Sequence, residues 1–221
     1  MARIAKVVPA ILTDDPKALA TMVRQAESFA TYVQLDIMDG RFVPSRSISY
    51  QDLAAIPIRV AWEAHLMVLN PEGYFEGFRQ AGAKRVVFHC EATDSPQRAV
   101  SRARSLGLGV GVALKPETPV SDTVHLVDEV DSVLFLTVNP GFYGSEFIPG
   151  VLDKVADLRK AKPELEIGVD GGIKESNIGE VARLGADMIC VGSAIFKDPQ
   201  PAESFRRLSA RAEEGSRQWR H

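Results

Sequence analysis

Two segments place a carboxylate where an apolar run ends. In Val33-Gln34-Leu35-Asp36-Ile37-Met38-Asp39-Gly40, Asp36 interrupts a buried-strand pattern just before an Asp-Gly turn; in Ile167-Gly168-Val169-Asp170-Gly171-Gly172, Asp170 does so before a glycine pair. Burying an ionised carboxylate without a partner is costly, so such a residue is paired, ligates a metal or is protonated for chemistry. Two carboxylates on opposite faces of one carbon suit a reaction in which one removes a proton and the other returns it from the other side. That work needs pKa values moved toward neutrality by burial or by each other. The bland alternative is structural hydrogen bonding to loop amides, the role expected of Asp39 beside Gly40. His65, in Glu63-Ala64-His65-Leu66-Met67, is either a satisfied core imidazole or a third ligand that joins Asp36 and Asp170 around a divalent metal. Imidazole with carboxylates suits zinc, iron or manganese. His125 and His221 have no such context and are expected to face solvent.

Glycines gather in three places: Asn139-Pro140-Gly141-Phe142-Tyr143-Gly144, Asp170-Gly171-Gly172 and Gly192-Ser193. They let the backbone approach an anion closely, and N–H groups at a following helix start can hold it. The alternative is that each merely turns the chain from strand to helix. Met38 and Met67 are expected to close the same mouth as apolar packing.

The elements that must position these residues repeat one unit: a short apolar strand, a punctuating loop and an amphipathic helix. Strands are expected at 4–12, 33–37, 59–66, 85–89, 109–114, 132–138, 166–170 and 188–192. Helices are expected at 15–29, 71–81, 95–106, 120–127, 149–160, 174–184 and 202–214, with only a weak one at 50–55 after the longest loop. Continuous apolar strands indicate a parallel sheet buried on both faces. Eight such units in 221 residues fit an α/β fold of the closed (β/α)8 TIM-barrel type, one domain spanning 1–221, better than an open doubly wound sheet. A barrel collects its chemistry at the C-terminal ends of the strands, and phosphates commonly bind at the loops after strands seven and eight. The polar residues at those ends are Gln34, Asp36, His65, His89, Glu91, Lys115, Thr137, Asn139, Asp170 and Ser193. The Arg-rich tail 217–221 is expected to fray.

Composition narrows the classes. Hydrophobic residues make up 45% and charged residues 25%, as in ordinary soluble proteins, and the net charge of −3 argues against a nucleic-acid or anionic-membrane surface. Cys90 and Cys190 show no metal-ligand spacing and read as buried reduced thiols, which implies a reducing compartment. No segment has the form of a secretory leader or a membrane span, so the cytoplasm is the expected location.

With these residues in place, the chain resembles the ribulose-phosphate 3-epimerase family from Pro9-Ala10-Ile11-Leu12 to Gly192-Ser193-Ala194-Ile195-Phe196. The resemblance is carried by Leu35-Asp36-Ile37-Met38-Asp39-Gly40 with Phe42-Val43-Pro44, His65-Leu66-Met67-Val68 with Asn70-Pro71, Thr137-Val138-Asn139-Pro140-Gly141-Phe142, and Val169-Asp170-Gly171-Gly172. It implies an isomerase that inverts C3 of a phosphorylated ketose, D-ribulose 5-phosphate to D-xylulose 5-phosphate, through an enediolate. Asp36 and Asp170 would be the acid-base pair. One divalent cation (Zn, Fe, Mn or Mg) would be held by Asp36, His65 and Asp170, with Gln34 as a fourth ligand. His65, Met38 and Met67 would lie against substrate, and Gly141, Phe142, Tyr143, Gly144, Gly171, Gly172, Gly192 and Ser193 would hold the phosphate. A small-molecule sugar phosphate is the implied partner, nucleic acid and membrane are not, and homo-oligomers are the rule among relatives.

The pattern is also broken in places. Gln34 stands where the family has a metal-ligating His; its carbonyl can coordinate a hard cation, but it is neutral and a poorer zinc ligand than imidazole. Ala10 and Val8 replace serines common in the first strand, and Arg41, Ser45, Tyr143 and Leu136 replace the family's usual His, Asn, Gly and Met. These changes leave open another ketose phosphate such as allulose 6-phosphate, an aldolase-type sibling similar to hexulose-phosphate synthase, or a non-catalytic paralogue that binds a sugar phosphate.

Overall fold

The computed structural model describes residues 3–141 and 145–219. Eight strands run in parallel and close on themselves in chain order: β1 (Lys6–Ile11), β2 (Tyr32–Met38), β3 (Ala61–Met67), β4 (Arg85–His89), β5 (Gly109–Leu114), β6 (Ser132–Leu136), β7 (Glu166–Asp170) and β8 (Met188–Val191). The ring shuts where Lys6 to Pro9 of β1 pair with Met188 to Val191 of β8. Around it lie α1 (Pro16–Glu27), α2 (Tyr50–Ala54), α3 (Phe75–Gln80), α4 (Pro96–Ser105), α5 (Val151–Ala161), α6 (Ile178–Arg183), α7 (Ser193–Phe196) and α8 (Pro201–Arg217). This is the expected (β/α)8 barrel.

Strand alternation divides the core in two. Along β2, Val33, Leu35 and Ile37 join the large cluster between strands and helices. The axis-facing apolar residues, Val8, Ala10, Val87, Ala113, Leu134, Leu136, Val138, Met188 and Cys190, form a separate cluster inside the ring. Gln34, Asp36 and Met38 take the inward positions on β2, so that strand trades apolar filling for polar groups and cannot slip register without turning them out.

Local chemistry fixes the entry to the helices. Asp15 accepts from the Lys17 amide at 2.8 Å and Pro16 opens α1; Ser49 and Asp52 form a reciprocal capping box on α2. Asp39 makes the expected structural bonds, accepting from the amides of Arg41 (2.8 Å), Phe42 (2.9 Å) and Leu69 (2.9 Å), which ties the long loop after β2 to the end of β3. His125 is exposed, as expected.

Several helix expectations are corrected. Residues 120–127 give only a 3-10 turn, Val120–Thr123, because a segment of Val, Ser, Asp, Thr and His carries weak helical propensity. The expected 71–81 helix is split into a 3-10 turn, Pro71–Gly73, and α3, with Gly73 at the break. α6 starts only at Ile178, since the Asn177 side chain accepts from the Lys174 amide and turns the chain first. α7, a single turn after β8, is additional to the expected elements. The tail is helical through Arg217, where its guanidinium meets Glu213 at 2.6 Å, while Arg220 and His221 lie outside the described residues. Cys190 is buried but Cys90 only half so, and neither is in a disulfide. No helix of the described residues is long and apolar enough to cross a membrane.

Candidate active site

The inward residues near the C-terminal ends of β2, β3 and β7 meet on the barrel axis. Asp36 and His65 are register partners on adjacent strands. Asp170 comes from three positions round the ring, yet its side chain reaches the same point. His65 Nδ1 lies 3.0 Å from Asp36 Oδ1 and 3.4 Å from Asp170 Oδ2. Gln34 Nε2 donates to the same two carboxylates, at 3.0 Å to Asp36 and 2.9 Å to Asp170. All four are buried, His65 and Gln34 completely.

Burial raises the Asp36 carboxyl, the neighbouring charge of Asp170 raises it further, and together they hold it at about 6 against the opposing pull of His65 and Gln34. For His65, burial alone would lower the pKa. The hydrogen bonds and charges of Asp170 and Asp36 outweigh it and lift the imidazole to about 10. Two acids thus share one removable cation.

Ligand atoms of Asp36, His65 and Asp170 fall within 4.8 Å of one another, a donor set of two carboxylate oxygens and one imidazole nitrogen that can bind a divalent metal. Gln34 is placed differently from its expected part as a ligand. Its amide nitrogen faces the carboxylates, and its oxygen accepts from Cys190 Sγ at 3.1 Å. Between two anions the donor end of an amide is the favoured one, so in this arrangement Gln34 bridges the carboxylates and offers the centre no oxygen.

The cluster forms the floor of a cavity of about 370 Å³ lined also by Met38, Met67, Gly141, Gly171, Gly172, Gly192 and Ser193. Met38, Val43 and Met67 close one side as a small apolar cluster with Leu12 and Phe42. The glycine-lined side is built by close approach. Gly171 sits at φ +110°, and a Cβ there would come within 2.5 Å of Val138. The cavity therefore gathers every expected site residue among those described, apart from Gln34, which lies beneath its lining. Phe142, Tyr143 and Gly144 lie outside the described residues. Sequence reasoning missed Lys174 and Lys197, which line the glycine side. Their only signal is their position just after Gly171-Gly172 and Gly192-Ser193.

The model of the ribulose-phosphate 3 epimerase family matches residues 6–196. The chain belongs to that family. Among curated relatives it is 38% identical to the cytoplasmic isoform of ribulose-phosphate 3-epimerase from Oryza sativa subsp. japonica, over 94% of both chains. It is 37% identical to ribulose-phosphate 3-epimerase of Schizosaccharomyces pombe over 92% of each, and 36% to that of Bacillus subtilis over 86% of this chain and 92% of the relative. As a member of the family the protein is an isomerase-class enzyme, an epimerase of a phosphorylated sugar. Solved structures agree on the fold. A 3-hexulose-6-phosphate synthase superposes with a TM-score of 0.72 at 20% identity, covering 93% of this chain and 99% of that one. KGPDC from Streptococcus mutans superposes with 0.74 at 13%, covering 94% and 97%. At such identities these neighbours share the barrel alone. The epimerase family's fold and its metal-capable cluster of Asp36, His65 and Asp170 are thus both present here.

Proposed function

We propose that this epimerase interconverts D-ribulose 5-phosphate and D-xylulose 5-phosphate within a single barrel domain. The C3 proton is acidic because it is α to the C2 ketone. One of Asp36 and Asp170 takes that proton as the C3–H bond breaks, its electron pair moving into an enediolate. The other delivers a proton to C3 from the opposite face, and the configuration is inverted with no net change in atoms. The observation that carries this reading is the convergence of two buried carboxylates, from β2 and β7, on one point in a cavity whose far side is lined by Gly171, Gly172, Gly192 and Ser193. With Asp36 held at about 6, the pair can be singly protonated near neutral pH, the state a two-base exchange requires.

Asp36, His65 and Asp170 would hold a divalent cation, which would stabilise the negative charge developing on the C2 and C3 oxygens. Gln34 orients both carboxylates by donating to each, and supplying a ligand oxygen would require its amide to turn over. Met38 and Met67 exclude water from the sugar, while the backbone of the glycine loops and the lysines at 174 and 197 bind the phosphate. A second reading has one observation in its favour: Ala10 and Leu136 both line the cavity and present no hydroxyl, leaving apolar room for a longer ketose phosphate such as allulose 6-phosphate.

The test is a coupled assay for D-xylulose 5-phosphate with purified protein and D-ribulose 5-phosphate, as isolated, after chelation, and with zinc, manganese, iron or magnesium restored. Turnover abolished by chelation and restored by one metal is the expected result. Turnover with allulose 6-phosphate alone would move the assignment to the longer sugar, and turnover indifferent to chelation would remove the metal from the mechanism.

A further inference from the structure

Behind His65, away from the carboxylates, a second imidazole is buried with no part in the proton transfer. His89 ends β4, is fully buried like His65, and presents Nε2 to His65 Nε2 at 3.1 Å. Of two ring nitrogens that close, one donates and the other accepts. His65 has its Nδ1 committed to Asp36 and Asp170. With a cation on Nδ1, His65 is a neutral imidazole whose one proton sits on Nε2; with a proton on Nδ1 between two carboxylates, it is an imidazolium protonated on Nε2 as well. His65 is therefore the donor, and His89 must accept on Nε2 and carry its own proton on Nδ1.

That Nδ1 faces Glu91 Oε2 at 3.3 Å. The contact is longer than a strong hydrogen bond, but among the described residues neither atom has another hydrogen-bond partner, although both are buried. The carboxylate itself is fixed, its Oε1 accepting from the Lys115 amide at 2.8 Å and from the Thr118 hydroxyl at 2.5 Å. Burial would raise the Glu91 carboxyl, but the bonds from His89, Thr118 and Lys115 hold it down at about 2, so it is an anion. With Nε2 accepting from His65 and Nδ1 turned to Glu91, His89 has place for one ring proton only and is a neutral imidazole. The ring is also held sideways by Phe42, tilted against it with centroids 5.0 Å apart, and Phe42 is in turn covered by Lys115 Nζ at 4.3 Å.

The geometry assigns His89 and Glu91 as positioning residues that fix the tautomer and ring orientation of His65 as a metal ligand, an inference that rests on reading Asp36, His65 and Asp170 as the cation site. A ligating imidazole whose distal N–H is held by an acceptor is both oriented and made more basic, and loss of such partners typically weakens metal binding about 10- to 100-fold. A histidine that merely filled the core would make no such demand, because an apolar residue of similar size would serve as well.

The experiment is a chelator-competition titration of Mn²⁺ and Zn²⁺ into the metal-free full chain, for wild type, His89→Leu, His89→Gln, Glu91→Gln and His65→Ala. Leucine removes the acceptor, whereas glutamine can place its carbonyl oxygen where His89 Nε2 stands. The expected result is about a 10- to 100-fold loss in His89→Leu, retention close to wild type in His89→Gln and an intermediate loss in Glu91→Gln. Histidine ¹⁵N NMR of the wild type, which needs no variant to fold, should show His89 neutral and protonated on Nδ1. Wild-type affinity in His89→Leu alongside a loss in His65→Ala would overturn the inference and leave the cation site standing. A proton on His89 Nε2 would do the same. No binding by wild type would overturn both readings together.

Discussion

The barrel encloses charged groups at both ends of its strands, and the two clusters are built on opposite terms. At the N-terminal end Arg85 donates to Glu63 (2.6 Å) and Glu166 (2.6 Å) and points its third nitrogen at Met188 Sδ (3.0 Å), while the Tyr32 hydroxyl reaches Glu63 at 3.1 Å. At the C-terminal end Asp36 and Asp170 surround His65. Each cluster sets one cation among two carboxylates. Arg85 cannot release its proton, and its neighbours raise its pKa further, so the lower cluster is a permanent plug. His65 can give up its Nδ1 proton to solvent when a metal cation takes its place, so the upper cluster is a site where charge can be exchanged. A fixed cation gives structure; an exchangeable one gives chemistry.

Substitutions at the two ends should therefore separate activity from stability. The largest effect is expected from Asp36→Asn and Asp170→Asn, which keep volume and an acceptor oxygen but remove a proton acceptor. Each should lower kcat about 10²- to 10⁴-fold. Stability of the metal-free protein should hold or rise, since a buried charge is removed. Steady-state kinetics beside denaturant unfolding reads both quantities. Near-normal kcat in either variant would break the two-base mechanism.

Arg85→Met is the converse. It leaves Glu63, only 1% exposed, without its counter-charge, and should cost about 3–5 kcal/mol of unfolding free energy. The folded fraction should keep kcat and KM near wild type. A fall in kcat matched by unchanged stability would show that the two clusters are coupled through the lumen and would dissolve the contrast.

The same contrast explains what can be read from the chain. Strands buried on both faces leave continuous apolar runs, so Gln34, Asp36, His65 and Asp170 stand out as interruptions, and the barrel and most of the floor of its cavity are legible in one dimension. The remainder depends on partners far away in sequence. The orientation of the Gln34 amide is set with Cys190, 156 residues on. His89 and Glu91 are visible only as polar residues near a strand end; their relation to His65 comes from β4 lying beside β3 and from the amide and hydroxyl beyond β5 that fix Glu91. The helix expected at 120–127 fails for a different reason. Its apolar spacing has a helical period, but its residues hydrogen-bond locally, as Thr123 does to the Val120 carbonyl, and tighten the turn.

The smallest expected effect lies between the clusters, in the pH dependence of folding, and it tests whether His89 is the neutral acceptor that the exchangeable end requires. An imidazole with a folded pKa of about 4 and an unfolded one of 6.5 binds fewer protons when folded at every pH between those values. Its contribution to stability is complete above about 6.5 and is lost as pH falls toward 4. Asp36, raised from 3.8 to about 6, works in the opposite sense over much of the same window, so the wild-type profile alone mixes the two. His89→Gln separates them, because the amide does not titrate and Asp36 is common to both proteins. In metal-free denaturant unfolding, moving from about pH 7.5 to about 4.5 should cost wild type about 2 kcal/mol more than His89→Gln. A difference that stays constant across that interval would mean that His89 takes up a proton in the folded protein as readily as in the unfolded chain, and the two Nε2–H groups of His65 and His89, 3.1 Å apart, would then face each other with no acceptor between them.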